Sequence, residues 1–494
     1  MLDAQDTEGL LIEQGPLMKR IAELREIRWL ARAIVSVAVT VPGSLTFADV
    51  AGVSSDIMAF KRTEQREPCR DYRKERKPLF GDLHVHTSYS FDSYLSSQRR
   101  DPWDAYRYAK GEPIVLPDAL GEQRVMATIG RPLDFTAVTD HAEFLGQIDI
   151  CTMDSSKLGY WWPHCVMTRA QNLWTQLLAA HWWTVLGGQQ ESAPEKSFAC
   201  SLSNCDMAEK EAWGRIQQAA EDHYDRSDEC KFTTFVGYEY TEAFDQKNMH
   251  RNVIFRNETV VELPVSLYDT GYESFPSLWR QLRERCIDLD NGCDVMAIPH
   301  NPNLAGGLMY RDPETEQELE DRLFFEPVVE LIQHKGASEC RFDRLRGLGL
   351  DTVDEACDVE QIPADNLNMM GTVHGKVRSD KAMHVPLEKF ARRNMVRNAL
   401  KDGLLLEDRL GKNPFFMGFI GSTDTHSATP GASEEHTMWA IWAAATPSTL
   451  ECRITSSPTP AALLLFGRKR TPGTAFSPPF GGRKPTQPAV PALS

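Results

Sequence analysis

Histidines and carboxylates in this chain recur at the ends of short apolar runs, in spacings that suit metal ligation. His84 and His86 close the run from Pro78, Asp140 and His141 close the run from Leu133, and Glu239 closes the run from Phe232. His300 ends the run from Asp294, His334 ends the run from Val328, and Asp424 with His426 ends the run from Phe415. Residues two apart on a strand face the same side, so His84 with His86, and Asp424 with His426, can each aim at one ion. Either pair alone is weak, because thirteen histidines produce one H-x-H by chance in roughly one shuffled chain in three. The repetition of the pattern at six run ends is what carries weight.

The mixture of residue types points to divalent cations. Neutral imidazole suits zinc, iron or manganese, while carboxylates add negative charge and can bridge two ions. Glu239, alone at the end of FTTFVGYE, is the candidate bridge. Two or three ions (Zn, Mn or Fe) would lower the pKa of a bridging water and stabilise charge on a substrate, which is hydrolytic chemistry.

Apolar runs of four to eight residues bounded by turn signals predict buried strands, and helical stretches such as Ser277 to Arg285 and Leu387 to Gly403 fall between them. Alternation of this kind predicts βα units, a largely parallel sheet and an α/β fold. In a barrel of parallel strands the chemistry gathers at the C-terminal strand ends. After His141 the strand pattern lapses over residues 144–230, a helical insertion carrying Trp161, Trp162, Trp174, Trp182, Trp183 and Trp213. Such an insertion lands beside the site as a lid or wall, although packing of the insertion's own small core explains most of these tryptophans more simply.

The ordered motifs GDLHVHTSYSFDSYL, AVTDHAEFLG, GYEY, HRN, IPHN and GSTDTHSATPG resemble the polymerase-and-histidinol-phosphatase (PHP) superfamily. The chain is most similar to a bacterial, often exported branch catalogued as a domain of unknown function. Over residues 78–436 the resemblance implies a distorted (β/α)7 barrel, two or three divalent metals and phosphoester hydrolysis. Carried over by position, it implies one ion among His84, His86, Glu239 and Asp424, a second among Glu239, His250 and His300, and a third among Asp92, His141 and His426. His250 is the odd member, since it opens a strand instead of closing one.

Glu143, His334 and Glu339 are candidates for proton transfer or substrate contact, and Arg251 and Lys335 for binding a phosphate oxygen. Rim hydrogen bonds and ordinary salt bridges are the alternative for each. Asp140 is better suited to orienting a ligand than to being one. His164, His181, His223, His374, His384 and His436 follow no strand-end pattern.

The balance of 54 basic against 70 acidic residues, net −16, argues against a nucleic-acid partner; the expected partner is a small-molecule substrate, a phosphate ester. Eleven cysteines form no C-x-x-C pair, and the P-loop and G-x-S-x-G motifs are missing. Residues 1–48 contain a basic stretch, an apolar run from Trp29 to Val41 and small residues near Ala48, the layout of an export signal too short for a stable membrane span. Periplasmic or secreted localisation is therefore expected, with the cytoplasm as the alternative. Residues 49–77 read as a charged lead-in. Residues 437–494 end in a Pro- and Gly-rich stretch and read as a disordered or truncated tail, with a frameshift as one origin. The expected function is a metal-dependent phosphoesterase; the alternatives are hydrolysis of amides, lactones or sulfate esters, and a non-catalytic metal-binding remnant.

Overall fold

The apolar runs become strands, and the central ones are buried on both faces. A computed structural model describes residues 69–71, 77–118, 121–170, 173–186, 196–243, 247–271, 275–365, 385–432 and 463–468. The strands are β1 (Lys77–Asp82), β2 (Ile114–Pro117), β3 (Gln123–Ala127), β4 (Phe135–Val138), β5 (Thr233–Tyr240), β6 (Arg251–Phe255), β7 (Val295–Pro299), β8 (Val328–Gln333), β9 (Gly336–Ala337), β10 (Phe342–Asp343), β11 (Leu348–Gly349), β12 (Gly418–Gly421) and β13 (Leu463–Arg468). Every residue of β4, β6 and β7 is buried, as expected where a sheet is covered on both sides.

One sheet runs β13-β1-β4-β5-β6-β7 and another β12-β8-β9. β1, β4 and β5 are parallel, as are β12 and β8. β6 departs from the expected βα alternation and pairs antiparallel with both β5 and β7. The connection from Tyr240 to Arg251 is too short for the crossover that a parallel partner needs. The sheet curls: Leu83, Phe135, Ala137, Phe235, Ile254, Met296, Ile298, Val328 and Ile420 form one apolar cluster, drawn from the end of β1 and from β4, β5, β6, β7, β8 and β12. A single parallel bridge, Val85 with Thr425, ties the end of β1 to the end of β12.

Intervening residues of the same strands, such as Val138, Val236, Val253, Val295 and Val329, pack against helices. The helices are α1 (Phe91–Leu95), α2 (Pro102–Ala109), α3 (Leu145–Thr152), α4 (Pro163–Arg169), α5 (Leu173–Leu186), α6 (Ala199–Leu202), α7 (Cys205–His223), α8 (Leu267–Thr270), α9 (Phe275–Arg285), α10 (Glu316–Phe325) and α11 (Val396–Leu410). In α7 the Asn204 side chain accepts from Met207 N at the start, and Ala208, Ala212, Ile216, Ala219 and Ala220 make one buried face. α11 stops at Gly411, whose φ of +76° is the left-handed turn glycine adopts without penalty.

The described part of residues 144–230 is largely helical, carrying α3 to α7. Trp183 packs in its own core with Phe144, Ile148 and Ile150, and Trp213 is buried in the main core. The expectation that most of its tryptophans are core residues holds for these and not for Trp161, Trp174 and Trp182, which are exposed. Among the described residues five disulfides staple the chain: Cys69–Cys230, Cys151–Cys165, Cys200–Cys205, Cys286–Cys293 and Cys340–Cys357. Cys69 lies in the charged lead-in, and its bridge to Cys230 fastens that stretch close to the start of β5. The proposed signal segment lies outside the described residues. Within residues 437–494, Leu463–Arg468 is a strand that pairs antiparallel with β1. No helix among the described residues is long and apolar enough to cross a membrane.

Candidate metal centre

All nine residues expected to ligate metal come together at one rim of the sheet. His84 and His86 follow β1 on one face, with Val85 turned the other way and bridged to Thr425. His141 follows β4, Glu239 lies near the end of β5, and a parallel bridge sets the two side by side. His300 follows β7, His334 follows β8, and Asp424 and His426 follow β12. His250 precedes β6, whose reversed direction brings its first residues to the rim where the other strands end. The irregularity of His250 in the sequence is thus the signature of an antiparallel strand.

Glu239 sits at the centre. Its Oε1 lies 2.7 Å from His250 Nδ1 and 3.1 Å from His300 Nε2, while Oε2 lies 3.1 Å from His86 Nε2, 3.3 Å from His141 Nδ1 and 3.5 Å from His84 Nε2. Asp424 Oδ1 is 3.2 Å from His84 Nε2 and 3.1 Å from His86 Nε2. Asp92, from α1, places Oδ2 3.0 Å from both His141 Nε2 and His426 Nε2. Asp424 and Asn301 hold positive φ values of 53° and 50°, sparsely populated for residues with a Cβ, and such strain gathers where neighbouring structure fixes a functional group.

The ligand atoms fit divalent cations. His84 Nε2, His86 Nε2, Glu239 Oε2 and Asp424 Oδ1 are buried, face one another and have no hydrogen-bond partner; His250 Nε2 and His300 Nδ1 are also buried without one. Leaving so many polar atoms unsatisfied is costly unless a ligand binds them. Groups of suitably close ligand atoms are His84, Glu239 and His300; His84, His86 and Asp424; His86, Asp92, His141 and His426; and His334, Asp424 and His426. They overlap the three expected sets but differ from them: His250 falls in no group, His84 joins Glu239 and His300, and Glu239 is missing from the group of His84, His86 and Asp424. His86 also reaches the Asp92 set, and His334, expected as a proton-transfer group, puts Nε2 3.1 Å from Asp424 Oδ2.

A family profile described as a protein of unknown function (DUF3604) matches residues 73–473. The chain belongs to the DUF3604 family. That span passes the boundary expected at 436 and takes in β13. Comparisons with curated proteins and with solved structures gave no match.

In this DUF3604 chain the histidines at the rim divide: Asp424 and Glu239 outweigh burial and raise the pKa of His86, Glu239 and Asp92 do the same for His141, and burial lowers His84 and His300. Burial opposes ionisation of Glu239, but the charge of His141 and hydrogen bonds from His250 and His300 outweigh it and hold the carboxyl well below its usual range. Burial likewise opposes ionisation of Asp424, and the neighbouring His84 and Lys335 overcome it. Burial pushes His250 and His334 down to about 4, so both rings are neutral at neutral pH.

A supporting ring orients these ligands. Glu330, buried, lies 3.1 Å from His84 Nδ1, and burial together with the charges of Asp424 and Asp82 raises its pKa. Sequence reasoning passed over Glu330, although a lone acid inside VVELIQ is the same signal that singled out Glu239. Asp140 accepts from Thr87 N, Thr87 Oγ1 and Ser90 Oγ, each at 2.7 Å, and Ser90 Oγ sits 2.9 Å from His86 Nδ1. Asp82 accepts from Thr423 and from Gly431 N, clasping the loop of Asp424 to β1.

Of the remaining candidates, Lys335 reaches the rim, where Nζ contacts Asp424 Oδ2. Glu143 stands one step back: Oε1 accepts from Thr241 N at 2.9 Å, Thr241 Oγ1 lies 2.6 Å from His141 Nδ1, and burial pushes Glu143 to about 7. The substrate-binding expectation for Arg251 fails. Side chains alternate along β6, so with His250 at the rim Arg251 turns into the core, where Nε donates to Glu326 Oε1 at 2.9 Å and the guanidinium lies 4.3 Å from the Phe275 ring centroid. Glu339 is paired with Arg397 near the surface, 2.6 Å away.

Proposed function

We propose that the chain is a divalent-metal-dependent hydrolase acting on phosphoric esters, with its curled sheet read as the distorted (β/α)7 barrel of the PHP superfamily. The observation that supports it most is the set of buried ligand atoms that face one another without hydrogen-bond partners. His84, His86, Glu239 and Asp424 would hold one ion, Glu239 with His250 and His300 a second, and Asp92, His141 and His426 a third. When bound, such ions supply a more acidic water and offset charge developing on phosphate oxygens.

The chain's own groups complete the site. Glu239 offers one oxygen to each of two histidine sets, as a bridging carboxylate must. Lys335, held charged against burial by Asp424, brings a cation to the rim that suits an anionic substrate. Thr241, braced by Glu143, fixes one nitrogen of His141 and leaves the other to Asp92. The five disulfides support export to an oxidising compartment.

The test combines elemental analysis with turnover of aryl phosphate mono- and diesters by manganese- or zinc-loaded protein. Metal-dependent hydrolysis is expected, with Glu239→Ala reduced to the uncatalysed background and depleted of ions. Ion binding with turnover of amide, lactone or sulfate esters alone would shift the substrate class. Absence of bound ions in folded protein would end the hydrolase reading.

A further inference from the structure

Cys151, His164 and Cys165 form a second cluster, away from the strand ends and within the helical insertion. Cys151 is on α3 and Cys165 on α4, and the two are joined as a disulfide with a Cα–Cα distance of 4.6 Å. His164 Nε2 lies 3.6 Å from Cys151 Sγ and 3.7 Å from Cys165 Sγ. All three residues are buried, and the ligand atoms lie within 4.8 Å of one another. The other four disulfides take part in no such group among the described residues.

These separations resemble those of a tetrahedral zinc site. With Zn–S near 2.3 Å and Zn–N near 2.0 Å, ligand edges are about 3.5 Å for sulfur to nitrogen and about 3.8 Å for sulfur to sulfur. The imidazole nitrogen already stands at the required distance from both sulfurs, so only the sulfurs must part. Ser197 Oγ, 3.2 Å from His164 Nε2, is the nearest further oxygen.

We propose that the dithiol form of the chain binds one soft divalent cation through Cys151, His164 and Cys165, and that this cation and the Cys151–Cys165 disulfide exclude each other. Reduction by a dithiol breaks the S–S bond, gives two cysteine thiols and converts the reductant to its disulfide; cation binding then releases the two thiol protons. Oxidation by a small disulfide runs in reverse, forming the S–S bond, passing two electrons to the oxidant and expelling the cation. A run of contacts lies between the cluster and Phe91. Thr168 on α4 accepts from Trp183 Nε1 at 3.0 Å, the Trp183 ring stacks 5.7 Å from that of Phe91, and Phe91 adjoins Asp92.

The experiment produces the full-length chain under reducing conditions, so that the buried thiols form before the fold closes around them, and loads it with cobalt(II). Thiolate ligation gives a near-ultraviolet charge-transfer band that His and carboxylate ligands do not. The expected result is a band in the wild type, its loss in the Cys151→Ser/Cys165→Ser double variant, its weakening or shift in His164→Gln, and release of one equivalent of cobalt on addition of oxidised glutathione. A reduced, folded wild type that binds cobalt without the band overturns the proposal, as does a band unchanged in the double variant. Should the double variant fail to fold, His164→Gln decides, and an unaltered band there overturns it. None of these readouts depends on hydrolytic activity.

Discussion

The strand-end rim and the insertion both bury polar side chains, but they satisfy them in opposite ways. At the rim, His84, His86, Glu239, His250, His300 and Asp424 each keep a buried atom without a hydrogen-bond partner. In the insertion, Asp149 meets Lys157 and Arg215, Gln147 bonds Tyr268 and Ser197, and Trp183 Nε1 bonds Thr168; His223 Nδ1 is the exception among the described side chains there. Satisfied buried groups mark scaffold, whereas unsatisfied groups that converge mark the place of a ligand. The abundance of histidine or tryptophan does not separate the two regions; the destination of their polar atoms does.

Truncation in the insertion should cost stability while sparing the rim. Trp183→Ala removes a fully buried side chain and is expected to lower unfolding free energy by about 3–5 kcal/mol in urea, with ion content at the Glu239 sets unchanged. Loss of those ions would erase the contrast between the regions.

Next in size is a pH effect beside the rim. Burial raises Glu242 from 4.5 to about 7, so between these values the unfolded chain ionises while the folded chain keeps its proton. Stability then falls as pH rises through that window, by up to about 3 kcal/mol in total, and levels off above it. Glu242→Gln should gain stability relative to wild type between pH 5 and pH 8, read by urea unfolding at both; equal differences at the two pH values would refute the assignment.

A subtler change tests the supporting ring. Glu330→Gln keeps the shape but weakens the partner of His84 Nδ1, and metal affinity measured by chelator competition should drop roughly 10–100-fold with little change in stability. The smallest effect is expected on the insertion's outer face: Trp174→Ala, 75% exposed, should stay within about 0.5 kcal/mol of wild type.

Much of this rim was legible because buried polar residues at strand ends leave a mark in the sequence. An acid or imidazole closing an apolar run is expensive to bury, so Glu239, His300 and Asp424 stand out against their neighbours in the sequence. Glu330 carried the same mark and was passed over, being inside its run instead of at the end. Arg251 was misread because its neighbour His250 faces the rim, and the alternation of a strand whose limits and direction were not known sends the next side chain inward. The strand Leu463–Arg468 was hidden by the Pro- and Gly-rich sequence after it.

By itself, the sequence determined the α/β character, the helical stretches after His141 and most of the polar residues that meet at the rim, since apolar runs and their polar endings are local properties of the chain. Tertiary structure decided the antiparallel course of β6, the inward turn of Arg251, the pairing of β13 with β1 and the placing of His164 between two sulfurs. Each of these depends on which distant segments meet, and no local pattern of residues encodes that.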